Sequence, residues 1–278
     1  MQSTALEWQA VPSSSQPLRQ GSILEAIDPQ ASMWERHLIV ITADCDISHN
    51  KHRNIVSAIP LLSQEEFHIN FAIPKIWQEF LSEHAKLLEN TFSQLSGRSP
   101  SRERLIEWIQ EADSCKEIFE TFDQINPLAE DLMNMIQAIA KNPTSSTTVR
   151  EAVDKLTQAH IAIQRKPNPE KIRKSLSARI KQFYSNPPGD VLFLSSLSPA
   201  HQDGYFAYLR EPTQIPESMI QLSPGKSIAS HRRIGQLQDR YTHSITQRFA
   251  SVFSSIGLPR DYEEYRNFYA AAYLEELA

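Results

Sequence analysis

Arg36-His-Leu-Ile-Val-Ile-Thr-Ala-Asp-Cys-Asp-Ile-Ser-His-Asn-Lys-His-Arg53 is the stretch on which the reading of this chain turns. Leu38 to Ile41 is a short apolar run, rich in β-branched residues and bounded by polar ones, which predicts a buried strand. It feeds directly into Thr42, Asp44, Cys45, Asp46, His49, Asn50 and His52. Polar groups concentrated where a strand ends are where a rigid scaffold usually carries a site. Two further strands flank it. Gly21 to Ile27 precedes it, and Ile55 to Ile59 follows, closed by Pro60.

Downstream the period changes. From about Ile73 to Tyr184 apolar residues recur every three or four positions, the spacing of amphipathic helices. Ile76, Phe80, Leu87, Leu88 and Phe92 share one face, and Leu105, Ile106 and Ile109 begin a second region that continues to Ile118, Phe119 and Phe122. Leu128, Leu132, Met135, Ile136 and Ile139 make a third helix, Val149, Val153, Leu156 and Ile163 a fourth, and Ile172, Leu176, Ile180 and Phe183 a fifth. Gly97 with Pro100, Pro127, Asn142-Pro143 and Pro167 with Pro169 punctuate them. Strand patterns return at Gly189–Leu194, Gly204–Leu209 and Ile220–Leu222, Ser227 to Arg233 leads to Ile234-Gly-Gln-Leu237, and a helix begins at Arg240. Gly257-Leu-Pro259 stops that helix, and a last one carries Tyr265, Phe268 and Tyr269. The predicted organisation is a polar, flexible or loosely docked leader over residues 1–20, a β domain made of residues 21–70 and 186–278, and a helical insertion over 71–185. Strands on either side of the insertion are too few for two stable sheets, so they are assigned to one.

The chain has 278 residues, enough for a sizeable core, and a formal charge of -5, which excludes a general nucleic-acid coat protein but not a local basic face. Cys45 and Cys115 are its two cysteines, which is no disulfide framework. No apolar run reaches the roughly 18–20 residues of a membrane span, and no export signal is visible, so a cytoplasmic location is expected. A Gly-rich phosphate loop is absent.

The strand-rich ends resemble the MazF/PemK family of small toxin barrels. Gly21-Ser-Ile-Leu24 is similar to the opening Gly-Asp-Ile-Val of that family. Arg36-His37 stands where the family has Arg-Pro, followed by the apolar strand, Thr42 and a polar loop. Ile55 to Pro60 matches the next strand, and Ile234-Gly-Gln-Leu237 resembles the family's Ile-Gly-Xaa-Leu turn into a helix. The segment Thr-Ala-Asp-Cys-Asp-Ile also resembles little-characterised bacterial proteins associated with mobile elements and phage defence. The resemblance implies an α+β fold: an SH3-like barrel split by a helical bundle, with C-terminal helices. It implies a partner protein of the same operon or RNA as partner, and a homodimer. It also implies metal-independent endoribonuclease chemistry at Arg36 and Thr42, although His37 in place of Pro departs from the pattern.

Cleaving RNA without metal needs a base, an acid and a cation for the phosphorane charge. Arg36 offers the cation, His37, His49 or His52 the proton transfer, and Asp44 or Asp46 an orienting carboxylate. Cys45 lies between two acids, which raises a thiol's pKa and makes it a poor nucleophile. The mixed donors Asp44, Cys45, Asp46, His49 and His52 follow no known metal-ligand spacing, so neither metal nor cofactor is expected. The bland alternative is that Asp44, Cys45, Asp46, Asn50 and His52 shape the loop. From Arg165 to Lys181 there are seven Lys/Arg and one acid, Glu170. Lys171, Lys174 and Lys181 lie opposite the apolar stripe of that helix, and with Arg233, Arg240 and Arg248 they are candidate phosphate or partner contacts. The residues thus support two functions. One is a non-catalytic protein- or nucleic-acid-binding component of a bacterial phage-defence or toxin–antitoxin-type system, and the other is a single-strand endoribonuclease.

Overall fold

The structure, a computed structural model, describes residues 7–9, 13–96, 101–111, 127–164, 166–223, 228–254 and 265–271. The fold is mixed α+β. It divides into two compact units: Met1–Leu61 with Gly189–Ala278, and Leu62–Pro188.

The first unit is built on a curled, mainly antiparallel sheet in the manner of a half-barrel. Its strands are β1 (Trp8–Gln9), β2 (Ser22–Ala26), β3 (His37–Val40), β4 (Ile55–Ser63), β5 (Val191–Leu194), β6 (Tyr205–Tyr208), β7 (Thr213–Pro216), β8 (Ile220–Gln221) and β9 (His231–Leu237). They are ordered β1-β9-β2-β3-β4-β6-β5, with β7 on β4 and β8 parallel to β9. Side chains alternate across a strand, and both faces are covered. Ile23, Ile39, Ile59 and Leu61 join Leu237 and Ile245 in one core, whereas Leu24, Leu38, Val40, Val56 and Ala58 join Leu18 in another. A strand buried on both faces has no polar positions left to alternate with, which explains the unbroken run from Leu38.

Helix α1 (Met33–Arg36) leads into β3, and the single-turn α2 (Asp44–Ser48) follows it. The second falls within the stretch that the sequence suggests is a polar loop. Pro60 does not close β4: the strand continues to Ser63, with Pro60 opposite Leu38. The last β4–β7 pair is Ala58–Thr213, so the missing N–H falls where the strand leaves one neighbour. Ile234-Gly-Gln-Leu237 is strand rather than turn, with a bulge where β9 passes the Ile23/Leu24 step of β2. The leader is held by the sheet. Trp8 and Gln9 pair with β9, Leu18 is buried, and the Arg233 guanidinium donates to the carbonyls of Ser13, Gln16 and Pro17.

The second unit is helical. Ser63 opens α3 (Gln64–Phe67) with a capping box: its hydroxyl accepts from the Glu66 N–H, and the Glu66 carboxylate accepts from the Ser63 N–H. A π-helical turn, His68–Ala72, connects α3 to α4 (Ile73–Ser96). Then come α5 (Arg102–Glu111), α6 (Pro127–Ala140), α7 (Val149–Ile163) and α8 (Pro169–Ser185). Trp77, Phe80, Leu105, Ile109, Ile136 and Leu156 pack in its core. Pro169 does not break the chain but starts α8 at its first position, capped by Asn168, whose side chain accepts from the Lys171 N–H. Cys115, Ile118, Phe119 and Phe122 lie outside the described residues, as does the Gly257-Leu-Pro259 stop. In the first unit α9 (Asp239–Ser254) lays Tyr241, Ile245, Phe249 and Val252 on the sheet, and residues 265–271 are helical.

Candidate functional site

The polar loop after β3 is folded onto its own backbone. The Asp44 carboxylate accepts from the Gln20 N–H at 2.7 Å and from Arg19 at 3.3 Å. His49 is exposed, with Nδ1 2.7 Å from the Cys45 carbonyl oxygen. Cys45 is exposed, with Sγ 3.8 Å from the Asp46 carboxylate. His52 is clamped at both ring nitrogens: Nδ1 lies 3.1 Å from the Asp46 carbonyl oxygen and Nε2 2.8 Å from Glu217. The Glu217 hydrogen bond, opposed by burial and aided by Asp46, raises the His52 pKa above the ordinary histidine value. Asn50, Arg53 and Asn54 have φ of 53°, 52° and 60°. Asn tolerates this left-handed region, so Arg53 carries the backbone strain of the loop. Asp44, Cys45, Asp46, Asn50 and His52 therefore form a tightly tied turn.

Arg36 and Thr42, the expected catalytic pair, are not brought together. The extended segment between them spans about 20 Å at roughly 3.3 Å per residue. Arg36 donates to the Ala31 carbonyl at 3.1 Å, and the Thr42 hydroxyl accepts from the Ser57 N–H at 2.7 Å.

A different constellation lies at the Arg36 end of β3. Antiparallel register sets His37 opposite Glu25, and Glu25 opposite Arg232, across β3, β2 and β9. Residues paired in this way share a face. This is the face that carries Ile23 and Ile39, so the row stands at the rim of that core. The connection from β5 to β6 adds His201. Ser198-Pro-Ala-His201 is a tight turn with the His201 N–H donating to the Ser198 carbonyl at 3.0 Å, and Pro at the second turn position suits it. The turn sets Ser198 Oγ 2.7 Å from His201 Nδ1 and His201 Nε2 3.1 Å from Glu25 Oε1. His37 Nε2 is 3.9 Å from the same oxygen, and Arg232 donates to Oε2 at 2.8 Å through Nε. The His37 ring meets those of His201 and Tyr205 edge-on, with centroids 5.2 and 5.4 Å apart.

Burial pushes the Glu25 carboxyl up, but the hydrogen bonds and charges of Arg232 and His201 outweigh it and hold Glu25 below the usual range. Side-chain exposure is 9% for His37, 18% for Glu25 and 19% for His201, which admits a small ion or a single group rather than a polymer. One potential donor atom each from Glu25, His37 and His201 lies within 4.8 Å of the others. Gly235 makes the assembly possible, because a Cβ there would stand 2.6 Å from the Leu197 carbonyl oxygen of the His201 connection.

The expected cations fall into different settings. Lys171, Lys174 and Lys181 are exposed on α8 with no ion pair among the described residues, while Arg173 and Arg179 of the same helix pair with Asp154 and Glu79. Beside the start of this stripe a cavity of about 490 Å³ is lined by His160, Lys166, Asn168, Lys171, Ser175 and Arg179. Arg240 and Arg248 are exposed on α9, the former lying over the Tyr241 ring. Arg233, by contrast, is buried, and its guanidinium donates to the carbonyls of Ser13, Gln16 and Pro17. No family model, curated protein or solved structure matches this chain. No helix among the described residues is long and apolar enough to cross a membrane.

Proposed function

We propose that the protein is a non-catalytic, RNA-binding component of a bacterial phage-defence or toxin–antitoxin-type system, pairing a divergent MazF/PemK-like barrel with a helical unit. The unpaired lysines of α8 carry this reading. Positions 171, 174 and 181 fall within an arc of about 80° and along about 15 Å of helix axis, a stripe that can follow successive phosphates of one strand. The adjoining cation-lined cavity adds to the same field. Binding is favoured over cleavage because Arg36 and Thr42 lie at opposite ends of β3 and each is engaged by backbone.

Fluorescence anisotropy with a labelled 15-nucleotide single-stranded RNA tests it. Three phosphate contacts give a log–log salt slope of about −2. The triple variant K171Q/K174Q/K181Q loses that slope, and the RNA is recovered intact. Binding by the variant equal to wild type contradicts the assignment to α8, and cleavage abolished by R36A or T42A restores the endoribonuclease reading.

A further inference from the structure

We propose that Glu25, His37 and His201 bind one divalent transition-metal ion, with zinc as the best-suited ion. Two imidazoles and one carboxylate are the donor set of three-ligand zinc and non-haem iron sites, and such sets leave a coordination position open. Calcium and magnesium prefer all-oxygen surroundings, so the two imidazoles disfavour them.

Spacing agrees with the chemistry. Bonds of about 2.05 Å in tetrahedral geometry place ligand atoms roughly 3.3 Å apart. The distances to Glu25 Oε1 are 3.1 Å from His201 Nε2 and 3.9 Å from His37 Nε2, and the three donor atoms all lie within 4.8 Å of one another, so side-chain rotations that draw the two imidazoles together complete the set. Two of the three ligands are fixed by strand register, and the third by a turn with its own backbone hydrogen bonds.

The surroundings have the form that metal ligands need. A ligating histidine is usually oriented by a hydrogen bond at its other nitrogen. Ser198 Oγ stands 2.7 Å from His201 Nδ1, so a ring that gives Nε2 to the ion can donate its Nδ1 proton to this hydroxyl. Arg232 holds Glu25 Oε2 and turns Oε1 towards the two imidazoles. The guanidinium also weakens the attraction of the carboxylate for a cation, which sets this site below one whose carboxylate lacks a cationic neighbour. The limited exposure of the three groups protects the ion from bulk water. The loop of Cys45 belongs to the other end of β3 and contributes no ligand.

Equilibrium dialysis of the full chain against zinc, read by elemental analysis, is the test. Wild type takes up one zinc per chain. E25Q, H37Q and H201Q each weaken binding on the order of 100-fold, and S198A, which only positions His201, weakens it about 10-fold. C45S and H49Q bind as wild type does. Circular dichroism verifies the fold of each variant. A measurement on wild type alone covers the case of a misfolded variant: zinc raises its thermal midpoint, since a ligand of the native state stabilises it. Folded wild type that takes up no zinc overturns the proposal and leaves the cluster as a hydrogen-bonded rim. So does zinc retained equally by the three ligand variants, or lost in C45S.

Discussion

Histidine is used to opposite effect in the two units. In the sheet unit His52 is held by an acceptor at each ring nitrogen, and the Glu217 hydrogen bond favours its charged form. In the helical unit burial lowers the pKa of His68, His84 and His160, favouring the neutral ring. His84 and His160 both stand edge-on to Phe80, with centroids 4.8 and 4.9 Å away, and act as aromatic packing. The same side chain is shifted towards its charged form beside a carboxylate in one setting and towards its neutral form against aromatic neighbours in the other. What decides between them is a hydrogen-bonding carboxylate in one setting and burial in the other.

The largest effect falls on the helical side. Phe80 is 1% exposed, and replacing it by alanine removes the ring that both histidines pack on. F80A costs about 3–5 kcal/mol in urea unfolding. A loss confined to a few tenths would break the view of this unit as the one packed around histidine and phenylalanine.

On the sheet side the sharpest test is G235A. Its Cβ would meet the Leu197 carbonyl at 2.6 Å, so the His201 connection must move. The expected cost is about 1–3 kcal/mol, with zinc affinity falling as the turn shifts. Unchanged stability and unchanged metal binding would show that the connection is not held by this close approach.

Acidity separates the units by sign. The three histidines of the helical unit have folded pKa values below their unfolded ones. Their stabilisation is full above the unfolded value of about 6.5 and is lost as pH falls towards the folded values. His52 runs the other way: its folded pKa is raised, so its contribution is full below about 6.5 and lost as pH rises through the folded value. Hydrogen exchange from pH 7.5 to 5.5 therefore weakens protection in α4 and strengthens it around residues 46–55. H52Q removes the second trend and spares the first. Parallel trends in both regions would contradict the comparison.

The smallest effect is a cap. The Thr148 hydroxyl accepts from the Glu151 N–H at the start of α7. T148A costs about 1 kcal/mol, seen in the same urea titration.

The elements were largely readable because period is a local property. The three- and four-residue spacing of Ile76 and Phe80, or of Ile172 and Leu176, marks helices, and the run from Leu38 marks a strand buried on both faces. Ends were harder. Pro60 reads as a stop, yet it sits within β4 because the strand changes neighbours there. Pro127 and Pro169 read as breaks, yet each is the first residue of a helix.

The polar cluster was less readable. Its traces in sequence are a charged residue in an apolar strand, Glu25, a histidine at the head of another, His37, and a Ser-Pro turn ending in His201. Nothing local links them: His201 and Glu25 are 176 positions apart, and only strand order and the folded-over β5–β6 connection join them. The density of Asp, Cys and His after Thr42 is conspicuous in the sequence, and in the fold those residues are tied into a loop by local hydrogen bonds.

That contrast between the two ends of β3 is the central claim, and cobalt(II) tests it most directly. Added to the purified full chain, cobalt is predicted to give the visible absorption of an ion bound by nitrogen and oxygen, without a thiolate charge-transfer band. The spectrum persists in C45S and disappears in H201Q. A thiolate band, or a spectrum that survives H201Q and vanishes in C45S, would place the chemistry in the Cys45 loop and contradict the account.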